Sequence, residues 1–375
     1  MSSTAPLIDT IEKLQANLQI AIQIEHYTIP PYLCALYSIK DGTNREARDV
    51  IQTVVMEEML HMSLAANLLI AVGGASAVNT SPFIPVYPNS LPCFADPFPI
   101  NLRKFSKDAL DTFIQIELPE PENVPPAKPG LFATIGQFYD EVEKSLEWLC
   151  RDGQEKRVFS GTGRQITPEY YYGGAGRLFE IKKLDDAKHA ITEIKEQGEA
   201  LPHHVYVRGP EKTRPQPYDP KRPEADPVYR TDSPSPLHVG FDDQPEPAHY
   251  FRFKEIREGR YYQNGDTPDT GPTGPEFPVE WDGAWNMQAN PKAQSYAKGT
   301  AIRTKMDAFN GSYSRLLDHL HDAFTGKPER LIEAVGDMFE IKHRGTELMR
   351  IPNELPGLEA TTVGPSFEYV PVGDR

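Results

Sequence analysis

Residues 51–68 read IQTVVMEEMLHMSLAANL, and the meaning of this run decides the fold. Wound into a helix, Ile51, Val54, Glu58, His61, Ala65 and Leu68 fall on one continuous face. A face of that composition points into a core, where an ionised carboxylate is costly unless it is paired or bound to metal. The spacing Glu58-x-x-His61 sets a carboxylate and an imidazole about one turn apart, so both can reach one ion from the same side. A single pair is weak by itself, because a buried Glu–His pair is more often a structural hydrogen bond.

Two further stretches strengthen the metal reading. From Asp9 to Ile29 the positions Leu14, Leu18, Ala21, Glu25 and Ile29 recur at helical spacing, with Asp9 or Thr10 able to cap, so Glu25 falls in an apolar stripe. Downstream, Glu246-Pro-Ala-His249 repeats the Glu-x-x-His spacing at the start of a helix over about 245–258, with proline suited to the first turn and Glu246, His249, Phe253 and Ile256 on one face. Di-metal carboxylate bundles need two such units plus one Glu from each of two other helices. Chain order then asks for a lone carboxylate between the two units. Glu199, Glu141 and Glu143 are candidates, although Glu199 lies off the Ile191–Ile194–Gly198 face unless the helix unwinds at Gly198. Mixed carboxylate and imidazole donors suit two iron ions, with manganese as the alternative.

The rest of the chain fits an all-α bundle with long insertions. The second helix is expected over Asn44–Val72, stopping at Gly73–Gly74. Pro30 and Pro31 are expected to kink or break the first helix before Tyr32–Ile39 resumes it. Helices also fit Gly130–Cys150, Leu184–Gln197, Ala301–Phe324 and Pro328–Met349, with a short one at Ser106–Glu117. Residues 75–130 read as irregular, 157–179 as irregular or hairpin structure, and 202–245 is a Pro-rich excursion of a length uncommon inside one domain. The expectation is one domain over 1–375, with ligand helices at about 9–29, 44–72, 184–199 and 245–258, and C-terminal helices over 301–349.

Charge and cysteine usage narrow the function classes. The formal net charge is −15 and no basic block stands out, which argues against nucleic acid or anionic membrane partners. Cys34, Cys93 and Cys150 lack CxxC spacing, and the sparse set suggests a reducing compartment. With no signal-like start and no run of 18 apolar residues, a cytoplasmic location is expected.

The runs Ile24-Glu25-His26-Tyr27-Thr28-Ile29-Pro30-Pro31-Tyr32-Leu33 and Met56-Glu57-Glu58-Met59-Leu60-His61-Met62 resemble the ferritin-like domain of the iminophenyl-pyruvate dimer synthase family. So do Ile135-Gly136-Gln137-Phe138-Tyr139, Glu196-Gln197-Gly198-Glu199, His249-Tyr250-Phe251-Arg252-Phe253-Lys254-Glu255-Ile256 and the tail Gly364-Pro365-Ser366-Phe367-Glu368-Tyr369. Together they spread over most of the chain. The resemblance implies a ferritin-like four-helix bundle and moves Glu199 ahead of Glu141 and Glu143, giving Glu25, Glu58, His61, Glu199, Glu246 and His249 as metal ligands. It also implies biosynthetic oxidative chemistry, in which relatives couple two imines derived from aromatic 2-oxo acids. The sequence departs from the pattern at Gln137, where an acidic residue is common, and in the 202–245 excursion, so substrate identity does not transfer with the fold.

Other residues carry less. Arg252 and Tyr139 are expected behind the metal ligands, and Tyr27 and Tyr32 in packing. His26 is expected behind the ligands or at the surface, His203–His204 in a surface loop, and His319, His321 and His343 in structural roles. Gly173-Gly174-Ala175-Gly176 lacks the Lys-Ser/Thr of a phosphate loop. The leading function is a non-haem dinuclear-metal oxidoreductase acting on a small organic molecule with O₂ or peroxide. The alternative is a non-catalytic metal-binding protein for storage or sensing; the long insertions argue against storage, because they interrupt the smooth helical exterior that cage assembly requires.

Overall fold

A 28-residue helix, α1 (Ile11–Ser38), lies against a 27-residue helix, α2 (Arg45–Ala71), and this hairpin is the spine of the molecule. The computed structural model describes residues 5–119, 130–171, 176, 178–198, 247–263 and 265–374. Among these, α3 (Lys107–Ile116), α4 (Ile135–Cys150), α5 (Glu155–Val158), α6 (Leu184–Gly198), α7 (His249–Glu258), α8 (Ala301–Phe324) and α9 (Leu331–Leu348) complete the helices. The described residues hold no β-strand, only isolated bridges. Both Glu199 and Glu246 lie outside the described residues, as does the 202–245 excursion.

The packing follows from which faces are apolar. α3 pairs with α7 and α4 with α6. The α3–α7 pair rests on α1 and α2 on one side, and the α4–α6 pair rests on the same two helices on another. The α8–α9 hairpin covers the remaining surface of the spine. Leu14, Leu18, Ala21 and Ile22 of α1, together with Ile51, Val54, Leu60 and Ala65 of α2, are almost wholly excluded from solvent. α2 is apolar and long enough to cross a membrane by composition, but 89% of that window is buried within the fold.

Three boundaries differ from the sequence expectation, each for a local reason. Pro30 and Pro31 do not break α1, which runs through them. Pro31 lacks the N–H that would bond the Tyr27 carbonyl, and the Tyr87 hydroxyl donates to that carbonyl instead at 2.8 Å. α4 begins at Ile135 and not Gly130, because Thr134 accepts from the Gln137 N–H as N-cap, and Leu131 is left 40% exposed. α7 begins at His249, because Ala248 is its extended N-cap and the Pro247 carbonyl accepts from Arg252 Nε at 2.6 Å. His249 is therefore the first residue of its helix, and Glu246 precedes that helix.

At the α1–α2 turn Asn44 takes a left-handed φ of 47° and spends its carboxamide on the backbone of Glu280, donating to its carbonyl and accepting from its N–H. The C-terminal half of the chain is thereby tied to the spine.

Candidate metal centre

Among the described residues, five ionisable side chains from four elements converge between the spine and its two flanking pairs. Glu25 comes from α1, Glu58 and His61 from α2, Glu117 from the C-cap of α3, and His249 from the first position of α7. All five are at most 2% exposed. One donor atom each from Glu25, Glu58 and His61 lies within 4.8 Å of the other two, and the same holds for Glu58, Glu117 and His249. Glu58 belongs to both groups.

The orientation of each donor is fixed by a partner outside the cluster. Tyr139 donates to Glu25 Oε1, leaving Oε2 at 3.5 Å from His61 Nδ1. Tyr32 donates to Glu117 Oε1, leaving Oε2 at 3.6 Å from His249 Nδ1. Glu58 Oε2 accepts from the Thr28 hydroxyl at 2.7 Å, and its Oε1 lies 2.9 Å from His249 Nδ1 and 3.9 Å from His61 Nδ1. Both imidazoles are held from behind through Nε2. His61 donates to Gln197 Oε1 at 2.9 Å and His249 to Glu57 Oε2 at 2.8 Å. Each ring therefore turns Nδ1 toward the cluster, the nitrogen a metal-binding histidine uses when the other ring nitrogen is tethered.

The electrostatics are those of a site that needs positive charge. Burial, reinforced by the Glu117 carboxylate, pushes Glu58 up to about 7. Burial opposes charge on His61 and His249, but the surrounding carboxylates outweigh it. Glu25 raises His61, and Glu117, Glu57 and Glu58 raise His249 well above the usual imidazole range. Glu57 goes the other way. Against the cost of burial, Arg252, whose Nη2 lies 2.7 Å from Oε2, and the His249 hydrogen bond hold it down to about 2.

A buried metal would account for one feature that hydrogen bonding leaves open. His249 Nδ1 is buried and, among the described residues, has no partner with hydrogen-bonding geometry despite the nearby carboxylate oxygens. A nitrogen lone pair aimed among Glu58 and Glu117 oxygens is a donor set for a cation, so the buried Glu/His clusters can hold a metal ion. A small cavity reaches Glu25, Glu58, His61 and Glu117, walled by Ile135, Gly136 and Tyr139 of α4 and Ile194, Lys195 and Gly198 of α6.

The sequence expectations map onto this geometry unevenly. Glu25, Glu58, His61 and His249 are brought together. Glu117, which joins Glu58 and His249, is absent from the sequence expectation. Glu141 instead accepts from the backbone N–H groups of Leu7 and Ile8, and Glu143 pairs with Lys188 at 3.2 Å, so neither helix-four alternative joins the cluster. Tyr139 donates to Glu25, and Arg252 pairs with Glu57, which accepts from His249. Tyr32 is more than packing, because it orients Glu117. His26 is neither at the surface nor near the donors; it is 3% exposed, 2.8 Å from the Tyr313 hydroxyl, and burial pushes it down to about 3. His319 lies 2.8 Å from Asp337, His343 is exposed, and His203–His204 fall outside the described residues.

Comparison with known proteins agrees with the architecture. The Ferritin-like family model matches residues 18–258, a span from within α1 to the end of α7 that holds all five converging side chains. Among solved structures, a ferritin-like protein from Caulobacter vibrioides superposes with a TM-score of 0.56 at 19% identity, covering 90% of this chain and 97% of that one. A search of curated proteins finds no match. With the family model covering well over half of the sequence and the helices arranged accordingly, the chain belongs to the Ferritin-like family.

Proposed function

We propose that the protein is a non-haem dinuclear-metal oxidoreductase, with iron in both positions, that acts on a small organic molecule with O₂ or peroxide. The observation that carries this reading is the position of Glu58, whose carboxylate is shared between the Glu25/His61 group and the Glu117/His249 group. A carboxylate common to two donor sets is what a pair of bridged ions requires. Bound iron would supply activation of the oxidant and one-electron steps that side chains alone cannot perform.

The residues have separable tasks in this reading. Glu25 and His61 would hold one ion and Glu117 and His249 the other, with Glu58 between them. Tyr139, Tyr32 and Thr28 decide which carboxylate oxygens remain free to bind. Ile135, Gly136 and Ile194 form the apolar wall past which a small substrate approaches, and they keep bulk water from the donors. Glu199 and Glu246 remain proposed as further ligands on the resemblance noted above. That resemblance also supplies the finer expectation, oxidative coupling of imines derived from aromatic 2-oxo acids, with the 202–245 excursion as part of the pocket wall or a lid.

The test joins metal analysis to turnover. Protein reconstituted with ferrous ion should carry two ions per chain and consume O₂ or peroxide when supplied with an aromatic α-imino acid. The His61→Ala variant should lose that consumption while keeping its helical circular dichroism. Two bound ions with no oxidant consumption across a panel of small aromatic and aliphatic substrates would instead support the storage or sensing reading.

A further inference from the structure

The two imidazoles are backed differently. Behind His249 stands an ion pair, with Glu57 Oε2 accepting from Nε2 at 2.8 Å and Arg252 Nη2 2.7 Å from the same oxygen. Behind His61 stands the neutral carboxamide of Gln197, whose own Nε2 donates to Glu193 at 3.0 Å. An anionic acceptor on one ring nitrogen makes the other a stronger donor than a neutral amide does, because it stabilises the positive charge that the ring acquires on binding a cation. The cavity touches both groups, through Glu25 and His61 on one side and Glu117 on the other, but of the two imidazoles it is lined by His61 and not by His249.

We infer that the two metal positions are unequal, the Glu117/His249 position filling first and holding its ion more firmly, and the Glu25/His61 position exchanging more readily at the cavity. Glu57, with Arg252, and Gln197 are the positioning residues that set this order. The inference rests on the dinuclear reading above and adds a division of labour to it, in which one ion anchors the cluster and the other meets the small molecule.

The test uses Co²⁺ alone, added to metal-stripped full-length protein and followed by calorimetry and visible absorption. Wild type should show two binding events separated by about 10–100-fold in affinity, the range over which such backing partners act. His61→Ala should keep the tight event and His249→Ala should lose it. Glu57→Gln should weaken the tight event and narrow the gap. Because that change also removes a charge that Arg252 pairs with, a second variant avoids the difficulty. Glu193→Gln combined with Gln197→Glu moves a carboxylate behind His61 with no change in net charge, and should tighten the weaker event about 10-fold or more. Two events of equal affinity in wild type, a gap unmoved in every backing variant that folds, or a tight event that survives His249→Ala would overturn the inference. Fewer than two Co²⁺ per chain in wild type would sink the dinuclear reading itself.

Discussion

Glu57 and Glu58 are neighbours in sequence, yet they grip the same imidazole from opposite edges, Glu57 at His249 Nε2 and Glu58 beside His249 Nδ1 at 2.9 Å. Consecutive helical residues point about 100° apart, and His249 enters from α7 between those two directions. One carboxylate orients the ring while the other shares the space its lone pair faces.

The shared position of Glu58 predicts a pattern of metal loss. Glu58→Gln should reduce bound metal from two ions per chain to fewer than one, because it removes a donor from both groups. Glu25→Gln should leave about one. Elemental analysis of the reconstituted variants decides, and equal losses from the two substitutions would show that Glu58 does not bridge.

Removing metal should make stability fall as pH rises. In the metal-free protein Glu58 is raised from an ordinary carboxylate value to about 7, and His61 and His249 are raised as well, so the folded state binds more protons than the unfolded one from about pH 4.5 upward. Every one of these groups therefore adds stability at low pH that is lost as pH climbs through its folded value, by an amount on the order of a few kcal/mol in total. Glu57 acts with the opposite sign, but only below about pH 4.5. Urea unfolding of chelated protein at pH 5.5 and 8 should show the lower midpoint at pH 8. Saturating metal should reverse the trend, since its donors must be deprotonated to bind.

The Tyr87–Tyr27 contact can be tested without reference to metal. Tyr87→Phe leaves the Tyr27 carbonyl without its donor in a buried, proline-interrupted turn, at a cost of about 1–3 kcal/mol. In a Pro31→Ala background the restored N–H can bond that carbonyl, so the same substitution should cost clearly less. A double-mutant cycle by urea denaturation that gives no coupling would remove this explanation of how α1 tolerates its prolines.

Filling the cavity separates catalysis from binding. Ile135→Phe adds bulk on the wall beside Glu25 and His61 while touching no donor. Turnover should fall by about an order of magnitude or more while metal content is unchanged. If metal falls in parallel with activity, the cavity is part of the ion shell and not a route for substrate.

How far the site could be read from sequence depended on where each residue sits in its helix. Glu25, Glu58 and His61 lie deep inside long, regular helices, where an acid or imidazole in an apolar stripe is conspicuous. Glu117 obeys the same rule, since Leu110, Phe113 and Glu117 follow helical spacing, but it occupies the C-cap of a ten-residue helix just before Leu118 and Pro119. A short helix in a proline-rich stretch gives too few turns for the stripe to stand out. The bundle itself was legible, and of its ring of partners Tyr139 and Arg252 were named while the others were not. Glu57, Gln197 and Tyr32 matter because of side chains that reach them from remote parts of the chain, and periodicity carries no record of those. The prolines of α1 were misread for a related reason, as their compensation comes from Tyr87, 60 positions away.

The five converging side chains are spread unequally along the polypeptide, and this bears on the order in which the centre assembles. Glu25, Glu58 and His61 all lie on the α1–α2 hairpin, whose helices are joined by a short turn. The span from Glu25 to His61 is roughly a quarter of that from Glu117 to His249, so closing the longer one costs about 1 kcal/mol more in chain entropy. Local hairpin contacts form early in folding and distant closures late. The nascent chain would thus hold a half-formed nest of donors well before α7 is in place, and the docking of His249 between Glu57 and Glu58 would be the latch that completes it.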